Sequence, residues 1–231
     1  MEKGLVSIIV PTLNAGKYIR NCLQSIQNQT YSNYEIILVD GESTDDTLDI
    51  VKDFPNLTII KQKDEGLAGA WNDGIRVANG IYFTFLDSDD TWEANTLEKH
   101  VSLLQNNKDK ICSIGEVKFV LDDPSDPPSE FKLALQEGSH LAYMPGCFMG
   151  RIEIINEIGL YETRWKIASD IVWFAKLKAL GHRVGMINSI VLHKRVHKNN
   201  LSYNTAQSPI YNKEIVKLLF ESIKSKRTKS E

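Results

Sequence analysis

The chain has 231 residues, 42% apolar and 25% charged, with a formal net charge of −3. That size suits one large domain or one and a half, with the composition of an ordinary soluble globular protein. The charge offers no basic field for nucleic acid, Cys22, Cys112 and Cys147 form neither a metal pair nor a disulfide framework, and no apolar run reaches the length of a membrane span or a signal peptide.

In chain order, Val6–Val10 reads as an apolar strand that stops at Pro11. Ala15–Gln29 follows as a helix, with Tyr18, Ile19, Cys22, Leu23 and Ile26 at helical spacing. Ile36–Val39 is a second strand ending at Asp40-Gly41, and Ser43 then looks like a helix cap followed by acids in the first turn. Leu57–Ile60 reads as a strand, and Leu67–Ala78 as a helix closed by Asn79-Gly80. Ile81–Leu86 is a fourth strand, and Asp90 with Glu93 resembles a capping box for a helix over Glu93–Gln105. Such alternation predicts a parallel sheet covered on both faces.

The second half is less regular. Cys112–Leu121 reads as a strand, and the loop Asp122–Ser129 carries three prolines. Gly146–Gly150 reads as a short strand, Arg151–Glu157 as a short helix and Ala168–Leu180 as a helix ended by Gly181. Arg183–Ile187 and Ile190–Leu192 read as two further strands. Ile210–Ser225 is an amphipathic helix running into a basic tail.

The chemistry gathers where strands end. The first strand leads to Pro11, Thr12 and Asn14, the second to Asp40, and the fourth to Asp87, Ser88 and Asp89. In a parallel sheet these ends share one edge, where ligands bind. Crowded carboxylates there repel one another unless a cation screens them, and a divalent ion would also hold a diphosphate. The glycines form neither GxGxxG nor a Walker A motif, which argues against a dinucleotide oxidoreductase and a P-loop NTPase.

The segments VSIIVPTLN, VDGESTDDT and DEGLAGAWNDGIRVANGIYFTFLDSDD, with GLYETRWKIASDIVWFAKLKALG further on, resemble family 2 inverting glycosyltransferases of the GT-A fold. The resemblance runs from Val6 to Leu192 and implies an α/β domain with a mainly parallel sheet flanked by helices. Within one domain over 1–231 it implies a nucleotide-sugar half (1–110), an acceptor half (111–208) and a terminal helix and tail (209–231). By resemblance, Asp40 accepts a hydrogen bond from the nucleobase, against the plain alternative of a helix-flanking turn acid. Pro11, Thr12 and Asn14 match the loop near the base. Asp89 and Asp87 match the DxD acids that hold Mn2+ or Mg2+ on the diphosphate, and Ser88 between them is expected to point away. Asp64 and Asn72 match polar positions near the donor, although a satisfied helix polar group is the stronger reading of Asn72. Asp170 matches the general base, against the alternative of a helix-dipole partner. His193 and His197 match late residues that approach the diphosphate or metal, and His197 is carried over as a metal ligand. Asp90 is assigned to helix capping. Trp165 and Trp173 are candidates for stacking on a sugar, with the core the stronger reading of Trp173.

The implied activity is transfer of a sugar from a nucleoside-diphosphate donor, expected to be uridine-linked, to a hydroxyl of a glycan or glycolipid acceptor. A sugar-1-phosphate nucleotidyltransferase is the rival enzyme, but PTLNAGKYIR lacks the glycine- and arginine-rich loop it needs. A non-catalytic sugar-nucleotide or carbohydrate binder on the same scaffold is the rival from another class. The expected location is cytoplasmic, with a peripheral place at the inner face of the cell membrane if the terminal helix binds lipid. That helix could also pack on the domain or form a homodimer seam.

Overall fold

The computed structural model describes residues 4–128, 133–181 and 183–200, so the expected helix over Ile210–Ser225 and its basic tail lie outside the described residues. The first half alternates β1 (Val6–Thr12), α1 (Ile19–Gln27), β2 (Tyr34–Asp40), α2 (Thr47–Val51), β3 (Leu57–Lys61), α3 (Gly66–Val77) and β4 (Tyr82–Phe85). Then come β5 (Thr91–Trp92), α4 (Thr96–Asn106), β6 (Cys112–Leu121), β7 (His140–Leu141), β8 (Phe148–Arg151), α5 (Ile154–Ile158), α6 (Ser169–Ala179) and β9 (Val184–Val196).

One sheet joins both halves, in the order β3-β2-β1-β4-β8-β6-β9-β5, with β7 beside β6. The strands β3, β2, β1 and β4 are mutually parallel. Beyond β4 the sheet is mixed: β8 is antiparallel to both β4 and β6, whereas β9 runs parallel to β6. Alternation along β1 splits the core between the two faces. Ile8 and Val10 pack with α1 residues Ile19, Cys22, Leu23 and Ile26, while Ile9 packs with Trp71, Ile75 and Phe174 from α3 and α6. Among the described residues no helix is long and apolar enough to cross a membrane.

Three local expectations are corrected. β1 does not stop at Pro11 but continues to Thr12. Ile9 C=O accepts from Leu86 N, so groups two residues on face the same side, where β4 has already ended. A proline therefore costs no ladder bond there. Residues 91–92 form β5 on β9, so α4 begins only at Thr96 behind Asn95, and Asp90 caps no helix. The two short strands expected near the end are a single strand, β9, paired with β6 through a register shift near Glu116.

Candidate active site

The loops after β1 and β2 interlock at one edge. Asn14, with φ of 48°, receives a bond on its side-chain oxygen from Thr44 N at 2.8 Å. Its own N–H donates to Ser43 Oγ at 3.0 Å, so Ser43 locks a loop instead of capping a helix. Thr12 is buried, with its hydroxyl donating to Val10 C=O at 3.2 Å. Pro11 is buried in the strand behind it. The Asp40 carboxylate accepts from Glu42 N at 3.1 Å and Ser43 N at 3.2 Å. An Asp side chain bonding the backbone just ahead is an Asx turn, which holds this carboxylate at the mouth of β2.

Past β4, the residues Asp87, Ser88, Asp89 and Asp90 form a turn closed by Asp90 N donating to Asp87 C=O at 3.0 Å. Ser88 sits half-buried in it. One carboxylate oxygen from each of Asp87, Asp89 and Asp90 lies within 4.8 Å of the other two. β9 delivers the opposing charge. Lys194 Nζ lies 3.0 Å from Asp90 Oδ2 and 3.4 Å from Asp87 Oδ2. Arg195 N donates to Asp90 Oδ1 at 2.8 Å, and its guanidinium bridges Asp89 C=O and Asp122. His197 Nε2 and Asn200 Nδ2 meet Asp89 Oδ2 at 3.0 and 3.1 Å. The His197 ring in turn stacks on Tyr18, with centroids 4.8 Å apart.

Burial and charge oppose each other here. Burial pushes Asp90 up to about 7 although Lys194 pulls it down, and burial likewise raises Asp87. Burial alone would lower Lys194, but Asp90, Asp87 and Asp89 outweigh it and hold the ammonium well above its usual range. Three carboxylates thus share one buried ammonium.

The donor set fits a hard divalent cation. Both Asp90 oxygens are engaged, by Lys194 and by the Arg195 amide. By contrast, Asp87 Oδ1 is buried with no hydrogen-bond partner, although the side chain as a whole is 32% exposed. An orphaned carboxylate oxygen in an acidic cluster is a ready ligand for a cation. Asp89 keeps its Oδ1, because its protein contacts fall on Oδ2. His197 already orients Asp89, and would have to leave that oxygen to serve as a ligand itself.

Asp170 opens α6, with its Oδ1 accepting from Ile171 N at 2.8 Å. Burial raises its pKa, the negative charge of Asp87 adds to the rise, and Lys194 opposes it. The base candidate therefore stands within electrostatic reach of the acidic turn.

The other predicted site residues have partners of their own. Asn72 is 2% exposed and spends its amide on Tyr161, donating to the carbonyl at 2.8 Å and accepting from the amide at 2.9 Å. It is a clamp between α3 and the segment before α6, the satisfied helix residue that was the stronger of its two readings. The Asp64 carboxylate pairs with Arg76 at 2.7 Å. His193 points away from the acidic turn and meets Glu93 Oε1 at 2.6 Å, as strand alternation requires of a residue next to Lys194. Trp165 and Trp173 are 2% and 1% exposed, so neither offers a face to a sugar. Reasoning from sequence passed over Lys194. Its signal was a charge two residues past the apolar run Ile190–Leu192, masked by neighbouring His193 and Arg195.

The model of glycosyl transferase family 2 matches residues 7–159. A relative from Methanococcus voltae, named dolichyl N-acetyl-alpha-D-glucosaminyl phosphate 3-beta-D-2,3-diacetamido-2,3-dideoxy-beta-D-glucuronosyltransferase, is 30% identical over 74% of this chain and 56% of its own length. The Escherichia coli UDP-Glc:alpha-D-GlcNAc-diphosphoundecaprenol beta-1,3-glucosyltransferase WfgD is 40% identical over 46% of this chain and 44% of its own. The chain spans about half the length of the curated relatives it matches. Among solved structures, S. aureus TarS 1-349 in complex with UDP-GlcNAc superposes with a TM-score of 0.67 at 25% identity, covering 84% of this chain and 59% of that one. The α/β architecture described above is that of the GT-A fold.

Proposed function

The chain belongs to glycosyl transferase family 2, and on that premise we propose that it is a metal-dependent inverting transferase moving a sugar from a UDP donor to a hydroxyl of a polyprenyl-linked saccharide. The reading is supported by a cation-ready acidic turn and, within its electrostatic reach, a half-buried carboxylate raised above its ordinary range. The UDP donor is supported by the names of WfgD and the TarS complex, and the lipid-linked acceptor by the names of the two relatives. A pure binding protein needs no such base, which disfavours that alternative.

In this mechanism the loops after β1 and β2 take the nucleobase, with Thr12 and Asp40 nearest to it. Asp89 and Asp87 would hold Mn2+ or Mg2+, which supplies positive charge for the leaving diphosphate. Asp90 and Lys194 set the turn in place. Asp170 accepts the acceptor's hydroxyl proton while that oxygen attacks the anomeric carbon opposite the diphosphate. The bond to the diphosphate breaks as the new glycosidic bond forms, and the anomeric configuration inverts without a covalent enzyme intermediate.

Asp170→Asn is the deciding variant. Its affinity for UDP-glucose with Mn2+, measured by calorimetry, is expected to stay within about twofold, while sugar transfer falls about 10²–10⁴-fold. A variant that transfers at the wild-type rate would falsify the base assignment. Asp89→Ala is expected to abolish the Mn2+-dependent part of UDP-glucose binding, and unchanged binding would remove Asp89 as a ligand.

A further inference from the structure

The residue that opens α1 is an unusual one. A helix N-cap is ordinarily Ser, Thr, Asp or Asn, whose side chain accepts from the free amides of the first turn. Tyr18 holds that position and makes no side-chain cap. Its ring and hydroxyl lead to the acidic turn instead.

The Tyr18 ring stacks on the His197 imidazole, with centroids 4.8 Å apart and planes 21° from parallel. Arg195, two residues before His197 and on the same side of that strand, places its guanidinium over the ring at 5.2 Å. The hydroxyl donates to Asp122 Oδ2 at 3.0 Å, and Asp122 Oδ1 holds Arg195 at 3.1 Å. At the other end, Tyr18 N donates to Ala15 C=O at 2.8 Å. The ring is therefore fixed at both its hydroxyl and its backbone.

The imidazole is engaged on both nitrogens. Asn199 N donates to Nδ1 at 3.2 Å, which assigns the proton to Nε2, the nitrogen that meets Asp89 Oδ2 at 3.0 Å. A ring in that tautomer gives Asp89 a donor and keeps no lone pair for a cation. Asn200 Nδ2 adds a second donor to the same oxygen at 3.1 Å. Asp89 Oδ1 takes no part in these bonds.

We infer that Tyr18 is a positioning residue for the cation site: by stacking on His197 it fixes the imidazole plane, so that Nε2 keeps Asp89 Oδ2 and leaves Oδ1 to the cation. The inference rests on Asp89 holding Mn2+ or Mg2+. It deepens that reading by making His197 an orienting group instead of a ligand. An imidazole free to rotate would let the carboxylate swing, and a metal site weakens when its ligands are not held.

The test compares Tyr18→Phe, which keeps the ring and loses only the hydroxyl, with Tyr18→Leu and Tyr18→Met, which lose the stack. UDP binding is measured by calorimetry over a series of Mn2+ concentrations. The readout is the Mn2+ concentration that gives half of the full enhancement. Groups that orient a metal ligand typically contribute about 10–100-fold to metal affinity. Tyr18 acts one step further out, so each variant without the stack is expected to raise the half-point by about five- to tenfold, and Tyr18→Phe by less than about twofold. His197→Ala is expected to raise it about tenfold, and adding Tyr18→Leu to it should raise it no further. Pulsed EPR of the protein with Mn2+ and UDP is expected to show no coupling to an imidazole nitrogen. Wild-type half-points in the variants without the stack, a Tyr18→Phe as weak as they are, losses that add in the double variant, or an imidazole coupling each overturn the positioning role. UDP binding that ignores Mn2+ in the wild type, or that is unchanged in Asp89→Ala, overturns the cation reading and the positioning role together.

Discussion

At the scale of single residues, Asp90 and Lys194 show what depth does to charge. Asp90 is 1% exposed and the Lys194 side chain 18%, with 3.0 Å between them. Neither charge is tolerable there alone. Lys194→Met is therefore expected to cost about 3–5 kcal/mol in denaturant unfolding, and Lys194→Met combined with Asp90→Asn should recover part of the loss. Asp170 has a pH signature. Burial raises its pKa, and a base must be ionised to act. Transfer is therefore expected to climb with pH through a midpoint above the ordinary aspartate value of about 3.9, and a profile flat down to that value would count against it. That acids gather past β4 was legible in the sequence, because a carboxylate ending an apolar strand has few structural reasons to be there, whereas the place of Asp90 in that cluster was not. Asn72 stayed ambiguous for a physical reason: an amide in a helix interior looks the same in sequence whether it faces a ligand or a distant backbone. Lys194 was missed because its partners arrive from about a hundred residues away.

At the scale of elements, the period of each strand and helix was plain and its ends were not. Apolar runs such as Ile36–Val39 and Ile81–Leu86 fall on β2 and β4 because burial on both faces leaves room for few polar residues, such as Thr84, whose hydroxyl donates to Phe148 C=O. The ends are set by neighbours. Pro11 stays in β1 because the adjoining strand has already finished, and β5 exists only because β9 lies alongside it. The packing of α3 on β1 gives a sharper test. A Cβ on Gly74 would lie 2.4 Å from Ile9 Cγ2, inside the core. Alanine in a helix interior normally stabilises by about 1 kcal/mol relative to glycine. Here the clash outweighs that gain, and Gly74→Ala is expected to destabilise by about 1–2 kcal/mol in thermal or denaturant unfolding.

At the scale of the whole molecule, Asp122 joins three distant parts of the chain. It stands just past the end of β6 and contacts Lys17 at 2.6 Å, Tyr18 Oη at 3.0 Å and Arg195 at 3.1 Å. Lys17 leads in holding its carboxyl down to about 2, with Tyr18 and Arg195 adding and burial opposing. A depressed carboxyl stabilises the fold above its unfolded value of about 3.9 and loses that contribution as pH falls toward 2. The wild type should therefore weaken between pH 4 and pH 2, and Asp122→Asn should show a shallower decline in chemical denaturation over that interval. The parallel front of the sheet was readable from its repeating pattern, whereas the mixed back was not, because its pairings link segments with irregular spacing. The late arrival of β9 has a consequence for synthesis. A ribosome releases the acidic turn long before it releases the lysine that neutralises it, so the nascent N-terminal half carries an unquenched knot of negative charge for roughly a hundred codons. The proposed catalytic edge is among the last parts of this protein to mature, and translation that halts before β9 leaves the acidic turn without its lysine.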